Sequence, residues 1–229
     1  MDEKMLVEMG FVFLEGGRVR LGTDKPLPCR LEGYRKNETP VREFTVEPFW
    51  ICKYCVTNKE YERYDPRYCR PTTSKENKHP VTNVTYMNAI SYAAWLSKQY
   101  DGANFNLPTE QQWVFAAAPF CYEYPWGMNY SRKRAHVFNP NIAGPLEVDD
   151  PKFETNWCGL YHIGGNVQEF VLGTAYAGGT NGAYVDGMYC IVKGGDWSHC
   201  SRSAGVQRRG IADVAGRAPT VGFRLIVSI

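Results

Sequence analysis

The sequence has no apolar run long enough to span a bilayer, which takes about 20 residues. Its first residues, M-D-E-K-M-L-V-E-M-G-F, are acidic and lack the apolar core of a signal peptide. The expectation is a protein with no membrane insertion, either cytoplasmic or displayed on a virion or cell surface by another route. An excess of one charge sign is also missing. The net charge is +2, so nothing in bulk favours nucleic acid or an anionic membrane. Histidine is scarce, and no His follows a cysteine pair at zinc-finger spacing. No internal repeat and no low-complexity tail appears.

Cysteine is not scarce. Eight fall at 29, 52, 55, 69, 121, 158, 190 and 200. An even count invites a disulfide framework, but the chain is long and shows no secretion signal, so free buried thiols are expected. Cys52-x-x-Cys55 suggests a zinc half-site or a redox pair, with Cys69 as a lone third candidate. On a strand, residues three apart point to opposite faces, which argues against joint ligation. At 229 residues, 44% of them hydrophobic, the chain can bury roughly 70% of its unfolded surface in one large domain or two small ones.

Local patterns place the elements. Met9 to Leu21 reads as two short strands around Glu15-Gly16-Gly17, and Val41 to Ile51 as strand interrupted near Pro48. Leu27 to Thr39 and Gly173 to Gly187 read as loops. Thr57 caps a short helix through Tyr64. Thr85 caps an amphipathic helix, Met87 to Gln99, with Ile90, Ala93, Ala94, Trp95 and Leu96 as its apolar stripe. Thr109 with Gln112 forms a capping box for a helix ending near Ala118, before Pro119. Met188 to Lys193 and Leu225 to Ile229 read as strands. The class is α+β, with two main helices, short antiparallel strands and a large irregular fraction.

Val192 to Leu225 is the least regular stretch. It opens on Gly194-Gly195-Asp196-Trp197 and closes on Gly222-Phe223-Arg224, with no period of 2 or 3.6 between. A long irregular segment between two fixed ends is where a domain commonly places a binding surface. Its arginines at 202, 208, 217 and 224 suit an anionic ligand, or they bond the main-chain carbonyls that a coil leaves unpaired. Arg202 and Arg224 read as structural, and Arg209 as exposed.

Further motifs carry a resemblance. They are Tyr54-x-Val56-Thr57-Asn58-x-x-Tyr61, Pro80-Val81-x-x-Val84, Leu107-Pro108-Thr109-Glu110-x-x-Trp113, Asn156-x-x-Gly159-Leu160-Tyr161 and Gly165-Asn166-Val167-x-Glu169-Phe170. With the Gly16-Gly17 opening, the Gly-Gly-x-Trp turn and Gly-Phe-Arg, they resemble the formylglycine-generating enzyme/sulfatase-modifying-factor family, a variant of the C-type lectin fold. The resemblance spans nearly the whole chain and implies a single domain over residues 1–229.

The enzymatic branch of that family oxidises a substrate cysteine with a copper-binding cysteine pair just after the Gly-Gly-x-aromatic turn. His199 and Ala204 stand at those positions here, with Cys200 one place off and Cys190 before the turn. A non-enzymatic branch, the variable proteins of diversity-generating retroelements, places its variable, ligand-binding segment between the same brackets, here 192–225. The favoured expectation is a binding protein with no catalytic residue and no required cofactor. Trp197, Ser198, His199, Ser201, Gln207, Arg209, Ile211, Asp213, Val214 and Thr220 would face a protein or glycan ligand. The alternative is a copper-dependent oxidase of the formylglycine-generating type acting on a cysteine substrate, using Cys200 with Cys190. The resemblance also implies a structural Ca²⁺ ion at Asn141, Asn166 and Glu169, where the plainer reading gives Asn166 to a tight turn and Glu169 to a buried arginine. His199 beside Cys200 suggests a Cys–His nucleophile, but no third, orienting residue is evident.

Overall fold

The computed structural model of the chain describes residues 2–24, 38, 40–174 and 187–228. The two expected loops, 27–39 and 173–187, and Cys29 lie largely outside them. The chain opens on a helix that the sequence reading omitted, α1 (Glu3–Glu8), capped by the Asp2 carboxylate accepting from Met5 N at 2.8 Å. The two expected strands follow as β1 (Phe11–Leu14) and β2 (Gly17–Leu21), but they do not pair with each other. β2 pairs with β3 (Arg42–Val46) and β1 with β4 (Phe49–Cys52), both antiparallel. Gly16 explains the parting. It turns at φ +73° with the Val46 carbonyl lying where a side chain would begin, so the chain swings into a second sheet.

Threonine caps then fix three helices. Capping boxes at Thr57, Thr85 and Thr109 open α2 (Asn58–Tyr64), α3 (Tyr86–Gln99) and, after the short strand β5 (Phe105–Asn106), α4 (Glu110–Ala117). The remaining strands are β6 (Gln168–Thr174), β7 (Tyr189–Lys193), β8 (Gly210–Asp213), β9 (Val221–Gly222) and β10 (Ile226–Ser228), with a 3₁₀ turn at Ser201–Ala204. The irregular 192–225 stretch thus contains two short strands, whose sequences G-I-A-D and V-G carry too little alternation to signal them.

Among the described residues the sheets run β1-β4-β10-β5, β2-β3 and β8-β7-β6-β9. One pairing departs from the antiparallel expectation: β9 lies parallel to β6, with Gln168 opposite Val221 and Glu169 opposite Gly222. The loop after β7 has to come back across the sheet to deliver this strand, and that crossing sets up the site. The core joins α2 and α3 to the sheets through large rings, with Tyr61 stacked on Tyr92 and Phe223 edge-on to both. No described helix is long and apolar enough to cross a membrane.

Candidate functional site

Two buried ionic clusters support the returning loop. In the first, Arg224 is wholly buried and uses all five guanidinium N–H groups. Nε and Nη2 grip the Glu169 carboxylate at 2.6 and 2.7 Å. Nη1 donates to the Cys52 and Lys53 carbonyls, each at 3.1 Å, and Nη2 also to the Tyr161 carbonyl at 3.0 Å. Trp113 Nε1 donates to Glu169 at 2.8 Å, and the Cys55 thiol approaches its other oxygen at 3.5 Å. Arg224 therefore ties the end of β4, the Tyr161 turn, β6 and α4 into one frame.

The second cluster lies on the other side of Trp113. Lys193 is buried at 1% exposure, its Nζ 3.4 Å from Glu110 and 5.6 Å from the centroid of the Trp113 ring. Burial pulls its ammonium pKa down, and Glu110 opposes that shift. Arg209 reaches the same carboxylate from the loop with two bonds, at 2.8 and 2.7 Å. This corrects the expectation that Arg209 stands exposed to a ligand. It is half-buried, and a buried acid 99 residues away holds it. Gln207 is engaged as well, its amide accepting from Gly22 N at 2.7 Å and donating to the Arg20 carbonyl at 3.0 Å.

Between the clusters the Gly194-Gly195 turn starts the loop. Gly194 takes φ +77°, and a side chain on Gly195 would meet Ser203 Oγ at 2.7 Å and Ala204 N at 3.0 Å. Asp196 follows, fully buried. Its carboxylate accepts from Ser198 N at 2.9 Å, from Ser198 Oγ at 2.7 Å and from His199 Nδ1 at 2.7 Å. Asp196 is the orienting residue that the sequence reading did not identify, although it sits in plain view in G-G-D-W. With Nδ1–H on the carboxylate, the exposed His199 presents Nε2 outward. Ser198 donates to Asp196 rather than to Nε2, so the three do not form a serine nucleophile. We expect Asp196→Ala to lower stability by about 1–3 kcal/mol, since it strips three donors of their acceptor. His199→Ala, on the surface, should stay within about 0.5 kcal/mol of the parent in thermal melts.

The expected ligand residues do not form one face. Trp197, half-buried, donates Nε1 to the Pro219 carbonyl at 3.4 Å, which brings the chain next to Thr220 against the indole. Ser201 is half-buried at the start of the 3₁₀ turn. On β8, Ile211 pairs with Ile191 of β7, and Asp213 with Tyr189. Val214 N donates to the Met188 carbonyl at 3.0 Å. Asp213 and Val214 thus lie at the start of β7, roughly 14 Å along the strand from Lys193 and the turn. The residues brought together are Trp197, Ser198, His199 and Thr220.

The expected metal ligands serve other partners. Both ends of the Asn166 amide bond the Leu146 backbone, at 2.8 and 3.1 Å, in a left-handed turn with φ +70°. Both oxygens of Glu169 are taken by Arg224, with Trp113 and Cys55 added. Asn141 is exposed in a turn bonded to Asn139. These side chains do not fit a calcium ion. Among the described residues no three of His, Cys, Asp and Glu gather as a metal set, and every described cysteine is an unbridged thiol. Burial pushes Cys52 up to about 12 and Cys55 well above its ordinary value, and the neighbouring Glu169 charge adds to the Cys55 shift. Cys190 and Cys200 stand in different settings. Cys190 is wholly buried, donates to the Ala212 carbonyl and is pushed up to about 12 by burial, whereas Cys200 is exposed.

Known proteins agree with this frame. The chain is 25% identical, over 97% of its length, to serine/threonine-protein kinase Pkn1 of Chlamydia trachomatis. It spans 38% of that protein, and about two fifths of the chlamydial kinases it matches. It is 24% identical, over 94% of its length, to the inactive C-alpha-formylglycine-generating enzyme 2 of Bos taurus, covering 87% of that protein. Treponema denticola variable protein 1 superposes with a TM-score of 0.76 at 17% identity, over 95% of this chain and 94% of the other. The architecture is thus the formylglycine-generating-enzyme type of C-type lectin fold. The family described as the sulfatase-modifying factor enzyme 1-like domain matches residues 2–229, and the chain belongs to it.

Proposed function

We propose that the chain is a ligand-binding protein that presents the Trp197–His199 turn, with Thr220 beside it, to a protein or glycan ligand. One observation carries the reading. Ser198 and His199 stand exposed on a turn whose aspartate is fully buried and accepts three hydrogen bonds. A fixed turn loses little conformational freedom when it binds, so its side chains can change without rebuilding the fold. The likeness to a variable protein and the kinship with an inactive enzyme support the same direction. The face would then belong to a retroelement-diversified display system of a phage, virus or cell surface. The test is the DNA downstream of the gene. A near-copy of the segment coding for Tyr189 to Arg224, differing at adenines and lying beside a reverse-transcriptase gene, is expected. Its absence would remove diversification and leave a fixed ligand.

Family membership favours a second reading, a copper-dependent oxidase acting on a cysteine substrate, in which Cys200 is the exposed thiol at the same turn. Copper content measured with Cys200 intact and with Cys200→Ala decides it. Equal content in the two proteins would exclude the oxidase.

A further inference from the structure

Residues 144–153 cross behind the Trp197 turn, and two buried histidines hold them there. His136 Nε2 lies 2.9 Å from the Gly144 carbonyl, and His162 Nε2 lies 3.1 Å from the Glu147 carbonyl. A carbonyl only accepts, so each Nε2 carries the proton of its ring. Between these two holds Leu146 bonds the Asn166 amide, and beyond them Val148 N donates to the Lys78 carbonyl at 2.9 Å. Val148 is buried in a small cluster with Cys55 and Val167, and Trp197 packs on that cluster. The strap is therefore the backing of the exposed turn.

His162 is the member with an unmet ring nitrogen. It is 4% exposed, its Nδ1 has no partner, and its backbone takes φ +54°, in the left-handed region that few residues other than glycine adopt. The groups facing it are the His136 ring, the Asp150 carboxylate on the strap and the Arg224 guanidinium. Phe153 lies against both imidazoles, at 5.1 Å from His162 and 6.0 Å from His136. His136 faces Asp150 as well as the Gly144 carbonyl. A proton arriving at His162 Nδ1 would form a buried N–H with no acceptor in reach.

We propose that His162 is an acid-released latch, in which proton uptake turns the imidazole toward water, frees the Glu147 carbonyl and loosens 144–153 from behind Trp197. Burial, with the neighbouring His136 adding to it, holds the imidazole down to about 4. In an opened strap it would return to its ordinary value near 6.5. The open form therefore binds the proton more readily, and opening is favoured as pH falls from about 6.5 toward 4, levelling off below. Between pH 7 and pH 5 that linkage raises the open fraction about 20-fold. The inference concerns the backing of the turn and holds whatever the turn binds.

Hydrogen exchange by mass spectrometry on the full chain tests it, at pH 7 and pH 5 with correction for intrinsic rates. Peptides covering 144–153 should open about 20-fold more at pH 5, while α4 stays protected. In His162→Asn, a residue that tolerates positive φ and takes up no proton, the strap should respond equally little at both pH values. An acid response that survives in His162→Asn, or parent protection that does not change with pH, overturns the latch. If that variant fails to fold, NMR titration of the parent imidazole decides instead. A midpoint below 6.5 with loss of amide protection in 144–153 as the ring titrates supports the latch, and titration without strap opening refutes it.

Discussion

Arg224→Met is expected to cost about 3–5 kcal/mol of stability, among the largest single losses in the protein. The variant would strand the Glu169 carboxylate, 1% exposed, with only Trp113 and Cys55 as neutral donors. It would also leave three carbonyls, those of Cys52, Lys53 and Tyr161, without the guanidinium that now bonds them. At this chain length about 2–4 °C of melting temperature accompanies each kcal/mol, so a fall of roughly 10 °C should appear in calorimetry. Arg224→Lys should recover little, because an ammonium cannot supply the planar fork. The pair Arg224→Met with Glu169→Met should recover more than either substitution alone predicts, because no buried charge is then left. A double variant as unstable as the sum of its singles would show that Arg224 acts through its main-chain bonds rather than through Glu169.

The second large effect is an asymmetry at Glu110. Glu110→Gln should cost about 3–5 kcal/mol in urea unfolding, since it leaves the buried Lys193 and the half-buried Arg209 without their shared anion. Lys193→Met should cost about 1.5 kcal/mol or less. The substitution removes a charge that burial already disfavours, keeps most of the volume, and leaves Arg209 paired with Glu110. The reverse order would mean that the ammonium over the Trp113 ring, not the carboxylate, organises the cluster. Glu110→Gln should also loosen the loop at Arg209, which local exchange would report ahead of global unfolding.

Much of this was legible in the sequence. Thr57, Thr85 and Thr109 announced their helices because a cap needs only a partner three residues away, and Gln112 was in place for Thr109. The glycines of the Gly194-Gly195 turn were legible because few other residues tolerate the positive φ of Gly194 or the close approach of Ser203 and Ala204 to Gly195. Arg224 read as structural, and the structure buries it completely. What failed was pairing at long range. The strands on either side of Gly16 looked like a hairpin, yet each found its partner in a different sheet. Arg209 looked exposed because the acid that holds it, Glu110, lies 99 residues away on α4. For Asn166 and Glu169 the plainer reading, a tight turn and a buried arginine, matches the structure, but the sequence could not name Leu146 and Arg224 as the partners.

The sequence by itself determined where helices start, where the chain turns and which family frame it builds, because those signals are steric and local. Only the tertiary structure decided which charged groups are buried together and which of the loop residues share a face. Asp196 shows the division most plainly. Its neighbours Ser198 and His199 were candidates from the outset, but their orientation depends on the complete burial of that one carboxylate. Burial is set by what packs across the chain, and no local pattern encodes it.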